Sequence, residues 1–312
     1  MRAATIREQE LVIEEHPDPV AGAGEVLVRV RAAGLNGGDM MQRRGLYPAP
    51  AGSPADIPGM ELAGEVVALG PGAERFAPGD RVMAVVGGGG QAELVTVHER
   101  QLMPVPQALG WPEAGGLPEV FVTAHDALFT QAGLRSGERL LVHGGAGGVG
   151  TAAIQLGRAI GARVSATVRR GELRPACAEL GASVIAPEGF AEHGPFDVIL
   201  ELVGAPNLPE NLQALATGGR IAVIGVSAGA TGELNLLALM GKRARIHGST
   251  LRARPLEEKA LCARHLEHEV LPLFETGALR VPVAETFPLS EAASAYERFM
   301  AGGKLGKIVL LA

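Results

Sequence analysis

The sequence predicts an α/β protein in two parts: a doubly wound parallel sheet in the middle of the chain, and a β-rich region assembled from its two ends. Three observations lead there. An apolar run at 139–142 ends in Gly145-x-Gly147-x-x-Gly150 and passes directly into a helix-like stretch at 151–160. Further apolar strands follow at 163–168, 197–203 and 220–225, the spacing of β-α-β units rather than of hairpins. By contrast, residues 25–31 and 91–97 alternate apolar and polar side chains, the period-two pattern of half-buried antiparallel strands.

Taken in order, the first 117 residues read as short strands broken by turn chemistry, with Pro and Gly concentrated at 47–52, 70–72, 78–80 and 87–90. Strand and helix then alternate to about residue 254. A helix-like segment at 256–274 comes next, followed by strand-like pieces at 281–284 and 306–311 that resemble the N-terminal region. The expected domains are therefore 118–255 for the parallel sheet, with 1–117 and 256–312 together forming the β-rich domain. A length of 312 residues suits two cores, since single cores rarely grow past about 250–300 residues.

Composition excludes several classes. Net charge is −6, so there is no broad basic surface and no nucleic-acid partner is expected. The N-terminus lacks the apolar core of a signal peptide, and no run approaches the roughly 18 apolar residues of a membrane span. A soluble, cytoplasmic protein is expected. Two cysteines far apart, Cys177 and Cys262, give neither a disulfide framework nor a thiolate metal cluster.

With 44 glycines in the chain, a lone G-x-G-x-x-G is a weak signal. Its setting between strand and helix, inside a run of β-α-β units, makes it a dinucleotide-binding turn. In such a turn the first glycine allows the bend, the second admits the pyrophosphate, and the third lets helix pack on strand. Unpaired N–H groups at the helix start then meet the phosphates. Gly145, Gly147, Gly148, Val149 and Gly150 are the candidate contacts here. Val203, Gly225, Ser227, Ser249 and Leu251 end later sheet segments, where ligands of open α/β sheets bind.

The second strand ends at Val168-Arg169-Arg170, where NAD-specific enzymes carry an acid for the ribose hydroxyls. No acid follows before Glu172. Two guanidinium groups suit a 2′-phosphate, so NADPH is the expected cofactor, although a solvated pair at a helix start has the same appearance. His125, His143 and His247 lack a neighbouring carboxylate pattern and read as packed or exposed residues rather than bases.

Seven spaced segments carry a resemblance: Gly24-Glu-Val-Leu-Val, Asn36 to Tyr47, Pro58-Gly-Met-Glu-Leu-Ala-Gly-Glu-Val, Leu117 to Ala124, the glycine turn, Gly248 to Arg254 and Gly306-Lys-Ile-Val-Leu. Together they resemble the medium-chain dehydrogenase/reductase superfamily over nearly the whole chain. Within it they are similar to the zinc-free NADPH quinone oxidoreductases, in the branch of the tumour-suppressor-induced quinone oxidoreductase. The resemblance implies a Rossmann domain plus a GroES-like catalytic domain, and a homodimer formed through the last strand of the nucleotide sheet.

Where zinc-dependent relatives place ligands, this chain has Asn36, Met60 and Glu119, with only Glu61 and Asp39 as donors nearby; the resemblance thus implies no metal. It further implies that Asn36 donates to a substrate or ribose oxygen, that Tyr47 lies on the substrate loop, and that Thr123 and Lys304 approach the cofactor. An Asx turn at Asn36, a loop anchor at Tyr47, a structural Thr123 and a surface Lys304 are the plain alternatives. Gly37-Gly38 stands where the family more often has Arg-Ala, and Ala186-Pro187 where many relatives have a Tyr. The expected activity is metal-free, NADPH-dependent hydride transfer to a quinone. An enoyl or alkenal reductase on the same scaffold, or a non-catalytic NADPH-binding regulator, are the alternatives.

Overall fold

A computed structural model describes all of residues 1–312. The N-terminal stretch forms β1 (Arg2–Arg7), β2 (Glu10–Glu15), β3 (Glu25–Gly34), β4 (Glu61–Leu69), β5 (Arg81–Val85), β6 (Leu94–His98) and β7 (Met103–Pro104). The middle forms β8 (Arg139–Val142), β9 (Arg163–Thr167), β10 (Ser183–Ile185), β11 (Phe196–Glu201), β12 (Leu215–Val223) and β13 (Arg245–Gly248). The end adds β14 (Val283–Pro288) and β15 (Lys307–Leu311).

Two compact units result: 1–122 with 251–302 and 307–312, and 123–250 with 303–306. The second unit thus begins at 123 rather than 118 and ends at 250 rather than 255. The reason lies in packing. Phe121 meets Phe274 edge-on at 4.9 Å, and Arg252 is buried among residues of the first unit. Residues 303–306 go the other way, because Gly306 donates its N–H to the Ala146 carbonyl and bridges to Gly147.

In the second unit six parallel strands run in the order β10-β9-β8-β11-β12-β13. That is the doubly wound order with its switch point between β8 and β11, the place where sheets of this order bind ligands. Leu141, Ile199, Ile221, Phe190 and Phe196 fill the core on one face. In the first unit the sheet runs β14-β15-β3-β4-β5-β7, with β6 also on β3; every pair is antiparallel except β14 with β15. The alternating pattern of β3 buries Val26, Val28 and Val30 against Leu62, Val82 and Leu102.

The segment at 256–274 is two helices, Leu256–Glu269 and Leu271–Glu275, rather than one. Pro272 near the start of the second has no N–H for the preceding turn, so the first stops before it. No helix is long and apolar enough to cross a membrane.

Candidate functional site

In the second unit, the segment from β8 into the helix Gly148–Ala159 is the expected strand, turn and helix. One role shifts by a residue. The tight turn falls on Gly144, at φ +66°, so the first glycine of the motif is not the bend. Gly145 is required for space, since a Cβ there would lie 2.8 Å from the Ala166 side chain. Gly150 is required too, because its Cβ would collide with the Gly144 carbonyl oxygen. Gly147, by contrast, would place a Cβ near only that same oxygen, at 3.4 Å, and so presents its backbone to open space. As N-cap of the helix it offers no side chain to the first-turn N–H groups of Gly148, Val149 and Gly150. These donors and the positive end of the helix dipole fit a pyrophosphate.

A buried polar network fixes this turn from below. His143 Nδ1 lies 3.1 Å from Thr167 Oγ1 and Nε2 lies 2.7 Å from Asn211 Oδ1, while Asn211 donates to Glu201 at 2.6 Å. Glu201, at the end of β11, also accepts from the N–H groups of Val203 and Gly204. His143 is 1% exposed, and burial pushes its imidazole below the usual range. It is a packed residue that ties together the ends of β8, β9 and β11.

Val203, Gly225 and Ser227 follow β11 and β12 at this same end of the sheet, with Ser227 exposed. Gly225 presses on Leu202, where no side chain would fit. Ser249 follows β13, and its hydroxyl lies 3.2 Å from Asp126 Oδ2. Thr123 is buried in the helix Pro118–His125. Arg169 and Arg170 are exposed just beyond β9, with Arg170 3.6 Å from Glu172. A Cβ on Gly303 would lie 2.7 Å from the Arg170 guanidinium, so the glycine makes room for it. Lys304 Nζ donates to the Gly306 carbonyl at 2.8 Å. Leu251 differs from expectation: it belongs to the first unit, buried and lining a small cavity with Val85, Met103 and Val122.

The first unit holds a cluster of buried charge that its sequence scatters over 270 positions. Lys307 opens β15 and is 2% exposed; its ammonium donates to the Leu35 carbonyl and Asn36 Oδ1, each at 2.7 Å, and pairs with Glu61 Oε1 at 2.6 Å. All three N–H bonds are used. Glu61, fully buried at the start of β4, accepts from Asn36 Nδ2 at 2.9 Å and, on its other oxygen, from the Glu119 N–H at 2.8 Å. Gly34 permits this, since a Cβ there would overlap the Glu61 carboxylate. Asn36 is thus occupied on both sides of its amide, between the ion pair and the Gly34 carbonyl. This internal role stands where donation to a ligand was expected.

Asp39, fully buried, accepts from the N–H groups of Asn36 at 2.8 Å and Gly59 at 3.1 Å. Burial raises its carboxyl to about 6, against the pull of those donors and of Lys307. Arg252, 1% exposed, donates to the Gly87 and Tyr47 carbonyls and to Gln42 Oε1. Its guanidinium also stacks 5.0 Å from the half-buried Tyr47 ring. Of the departure at 37–38, the structure explains Gly38, where a Cβ would strike Met60 Sδ and crowd the Tyr47 ring, and not Gly37, which has nothing within 4 Å.

Glu119 differs from its neighbours. It lies in the first turn of the helix Pro118–His125, and its Oε2 is buried with no hydrogen-bond partner. Burial, with Glu61 and Asp39 adding to it against Lys307 and Arg252, raises its carboxyl to about 8.

Comparison with known proteins gives the family. Residues 22–107 match the Alcohol dehydrogenase GroES-like domain family, and 183–310 match the Zinc-binding dehydrogenase family. A rat (Rattus norvegicus) quinone oxidoreductase is 32% identical over 305 residues, covering 94% of this chain and 91% of its own. The chain belongs to the medium-chain dehydrogenase/reductase superfamily, in its quinone oxidoreductase family. A region of the Spectinabilin polyketide synthase system protein NorB of Streptomyces orinoci is 34% identical over 96% of this chain, but that is only 14% of the synthase component. Among solved structures, an alcohol dehydrogenase superfamily protein from Novosphingobium aromaticivorans has a TM-score of 0.88 at 32% identity, covering 100% of this chain and 99% of its own. A mycobacterial protein complexed with NADPH has a TM-score of 0.89 at 28% identity, with 100% of both chains covered. The family's cofactor is a nicotinamide dinucleotide, and the chain is an oxidoreductase.

Proposed function

We propose that the protein catalyses NADPH-dependent, metal-free reduction of quinones or similar conjugated carbonyl compounds. The carrying observation is the buried Lys307–Glu61 pair. The positions where zinc-dependent relatives place metal ligands hold Asn36, Met60 and Glu119, and the carboxylate beside them, Glu61, is already paired with the Lys307 ammonium at 2.6 Å. No group of three or more His, Cys, Asp or Glu side chains is arranged so that it could hold a metal ion. A divalent cation does not fit beside a satisfied lysine.

The cofactor does fit the second unit, on the open first turn after Gly147 and beside the crowded glycines that bring backbone close. When bound, NADPH supplies the hydride. Arg169 and Arg170, with no acid before Glu172, favour the 2′-phosphate. The remaining catalytic work is placement and electrostatics: Tyr47, braced by Arg252, orients the acceptor and its hydroxyl meets the charge that develops on a quinone oxygen. Asn36 keeps the Lys307–Glu61 pair in register.

The protein is further proposed to be a cytoplasmic homodimer. In support, β13 is an open edge of the six-stranded sheet, and the helix Leu236–Lys242 just before it exposes Leu236, Leu237 and Met240 at 63%, 78% and 69%. Neither cysteine is in a disulfide, in keeping with a reducing compartment. An NADPH-oxidation screen over quinones, enones and aldehydes tests the reading. Oxidation with quinones or enones supports it, whereas tight NADPH binding with no turnover of any acceptor would make the protein a non-catalytic binder. Reduction of an enone carbon–carbon bond is the second reading, favoured by the polyketide synthase relative and by the buried acid at Glu119.

A further inference from the structure

The two cysteines sit in opposite surroundings. Cys177, on the helix Arg174–Glu179, is fully buried, and burial pushes its thiol up to about 11. Cys262, on the helix Leu256–Glu269 of the first unit, is half-buried and lines the same small cavity as Leu251. Lys259 of that helix lines it too. Because residues three apart on a helix are neighbours, Cys262 has Lys259 on one side and His265 on the other. Arg254 approaches as well, with Nη1 donating to Cys262 Sγ at 3.3 Å. Glu258 lies 3.8 Å from that arginine, but its side chain is 59% exposed, so water weakens its pull. Lys259 is crowded by cations in its turn: burial lowers its ammonium first and Arg252 next, against Glu119. From the facing elements, Val85, Met103 and Val122 bring apolar walls and Gln101 an uncharged amide. A partly exposed thiol in an electropositive setting ionises and reacts, whereas a thiol buried among apolar groups is inert.

We propose that Cys262 is a covalent modification site for conjugated carbonyl electrophiles such as quinones, with Arg254 and Lys259 holding its thiolate, and that Cys177 is not modified. The proposal stands apart from any turnover of such compounds. In the step, Cys262 loses its proton to water and its sulfur forms a bond to a ring carbon of the quinone. The electron pair of that carbon–carbon double bond moves onto the carbonyl oxygen, which takes a proton from water. The hydrogen on the attacked carbon then leaves as a proton, the second oxygen gains one, and the ring becomes a hydroquinone thioether. The sulfur supplies the electron pair that reduces the quinone, so no further oxidant or reductant enters. The apolar walls suit an uncharged carbon electrophile better than a hydrated peroxide or a charged disulfide. The cations that hold the thiolate also attract the charge that moves onto oxygen.

The test is to treat the full chain, without NADPH, with stoichiometric 1,4-benzoquinone at neutral pH and to map adducts by peptide mass spectrometry. A single hydroquinone adduct at Cys262 and none at Cys177 is expected. Cys262→Ser should take up none, and Cys177→Ser should react like wild type. The rate of Cys262 alkylation by iodoacetamide, followed against pH, should reach half its maximum below the ordinary thiol value of about 8.5. Arg254→Gln combined with Lys259→Gln should raise that midpoint and slow the benzoquinone reaction severalfold at neutral pH. At strongly alkaline pH, where every accessible thiol is ionised, the double variant should match wild type, which separates lost charge from lost structure. Equal labelling of the two cysteines, or no adduct on Cys262, overturns the proposal. So does a Cys262 midpoint at or above about 8.5, or a double variant that reacts like wild type at every pH, since the two cations would then hold no thiolate.

Discussion

The glycine turn of the second unit and the charged cluster of the first solve the same problem, preparing a polar surface for a ligand, by opposite means. The turn removes side chains: Gly145 and Gly150 are there because a Cβ would meet Ala166 or the Gly144 carbonyl, and Gly147 because it leaves backbone N–H groups open. The cluster adds charged side chains and buries them, at a desolvation cost offset only by near-complete pairing. Gly145 and Gly150 tolerate no added atom, and the paired groups of the cluster tolerate no missing one.

The two halves of that contrast break differently. Lys307→Met leaves the Glu61 carboxylate buried without its cation, and should cost about 3–5 kcal/mol in denaturant unfolding. A loss below about 1 kcal/mol would mean the pair adds little beyond packing. Gly150→Ala forces atoms into the Gly144 carbonyl, and overpacking of this type costs about 1–3 kcal/mol. Cofactor affinity should fall with it, measurable by titration of NADPH fluorescence; unchanged affinity would detach the turn from binding.

Side chains at the edges of the two regions should act through ligands and not through stability. Arg169→Ala with Arg170→Ala removes charged hydrogen bonds worth about 1.5–3 kcal/mol. NADPH should weaken by at least roughly tenfold, since about 1.4 kcal/mol is a factor of ten, while NADH stays near wild type. Equal losses for both cofactors would make the pair structural. Tyr47→Phe removes one neutral hydrogen bond of about 0.5–1.5 kcal/mol, so kcat/KM for quinones should fall severalfold with NADPH affinity intact. Tyr47→Ala should fall further, and wild-type kinetics in both would leave Tyr47 as a loop anchor.

The same contrast explains what the sequence made legible. A glycine turn is local: strand, spacing and helix occupy about two dozen consecutive residues, and the strands that follow repeat a simple period. The roles within it were harder to place, because the bend at Gly144 and the clash at Gly145 differ only in backbone angle. The cluster joins residues 36, 39, 61, 119, 252 and 307, which come from distant parts of the chain and meet in part through pairing of β3 with β4 and with β15. Lys307 inside Gly-Lys-Ile-Val-Leu-Leu was not singled out in the sequence, where Lys304 was, and Glu61 was read only as a donor near the zinc position; a charge at the mouth of an apolar strand was the signal that could have found both. Arg252 carried no such signal, since its neighbours Arg254 and Ser249 suggest a polar loop. Asn36 was legible as important and not as to its partners, because an amide serves a ligand or an ion pair with the same atoms.

The central proposal is that the protein works without a metal, with Glu61 paired to Lys307 beside the positions where zinc-dependent relatives place ligands. Elemental analysis of the purified protein, on the same sample assayed for NADPH-dependent quinone reduction, tests it most directly. Full turnover with zinc far below one per chain, unchanged by chelator, is the predicted result. Stoichiometric zinc whose removal abolishes turnover and whose return restores it would contradict the account.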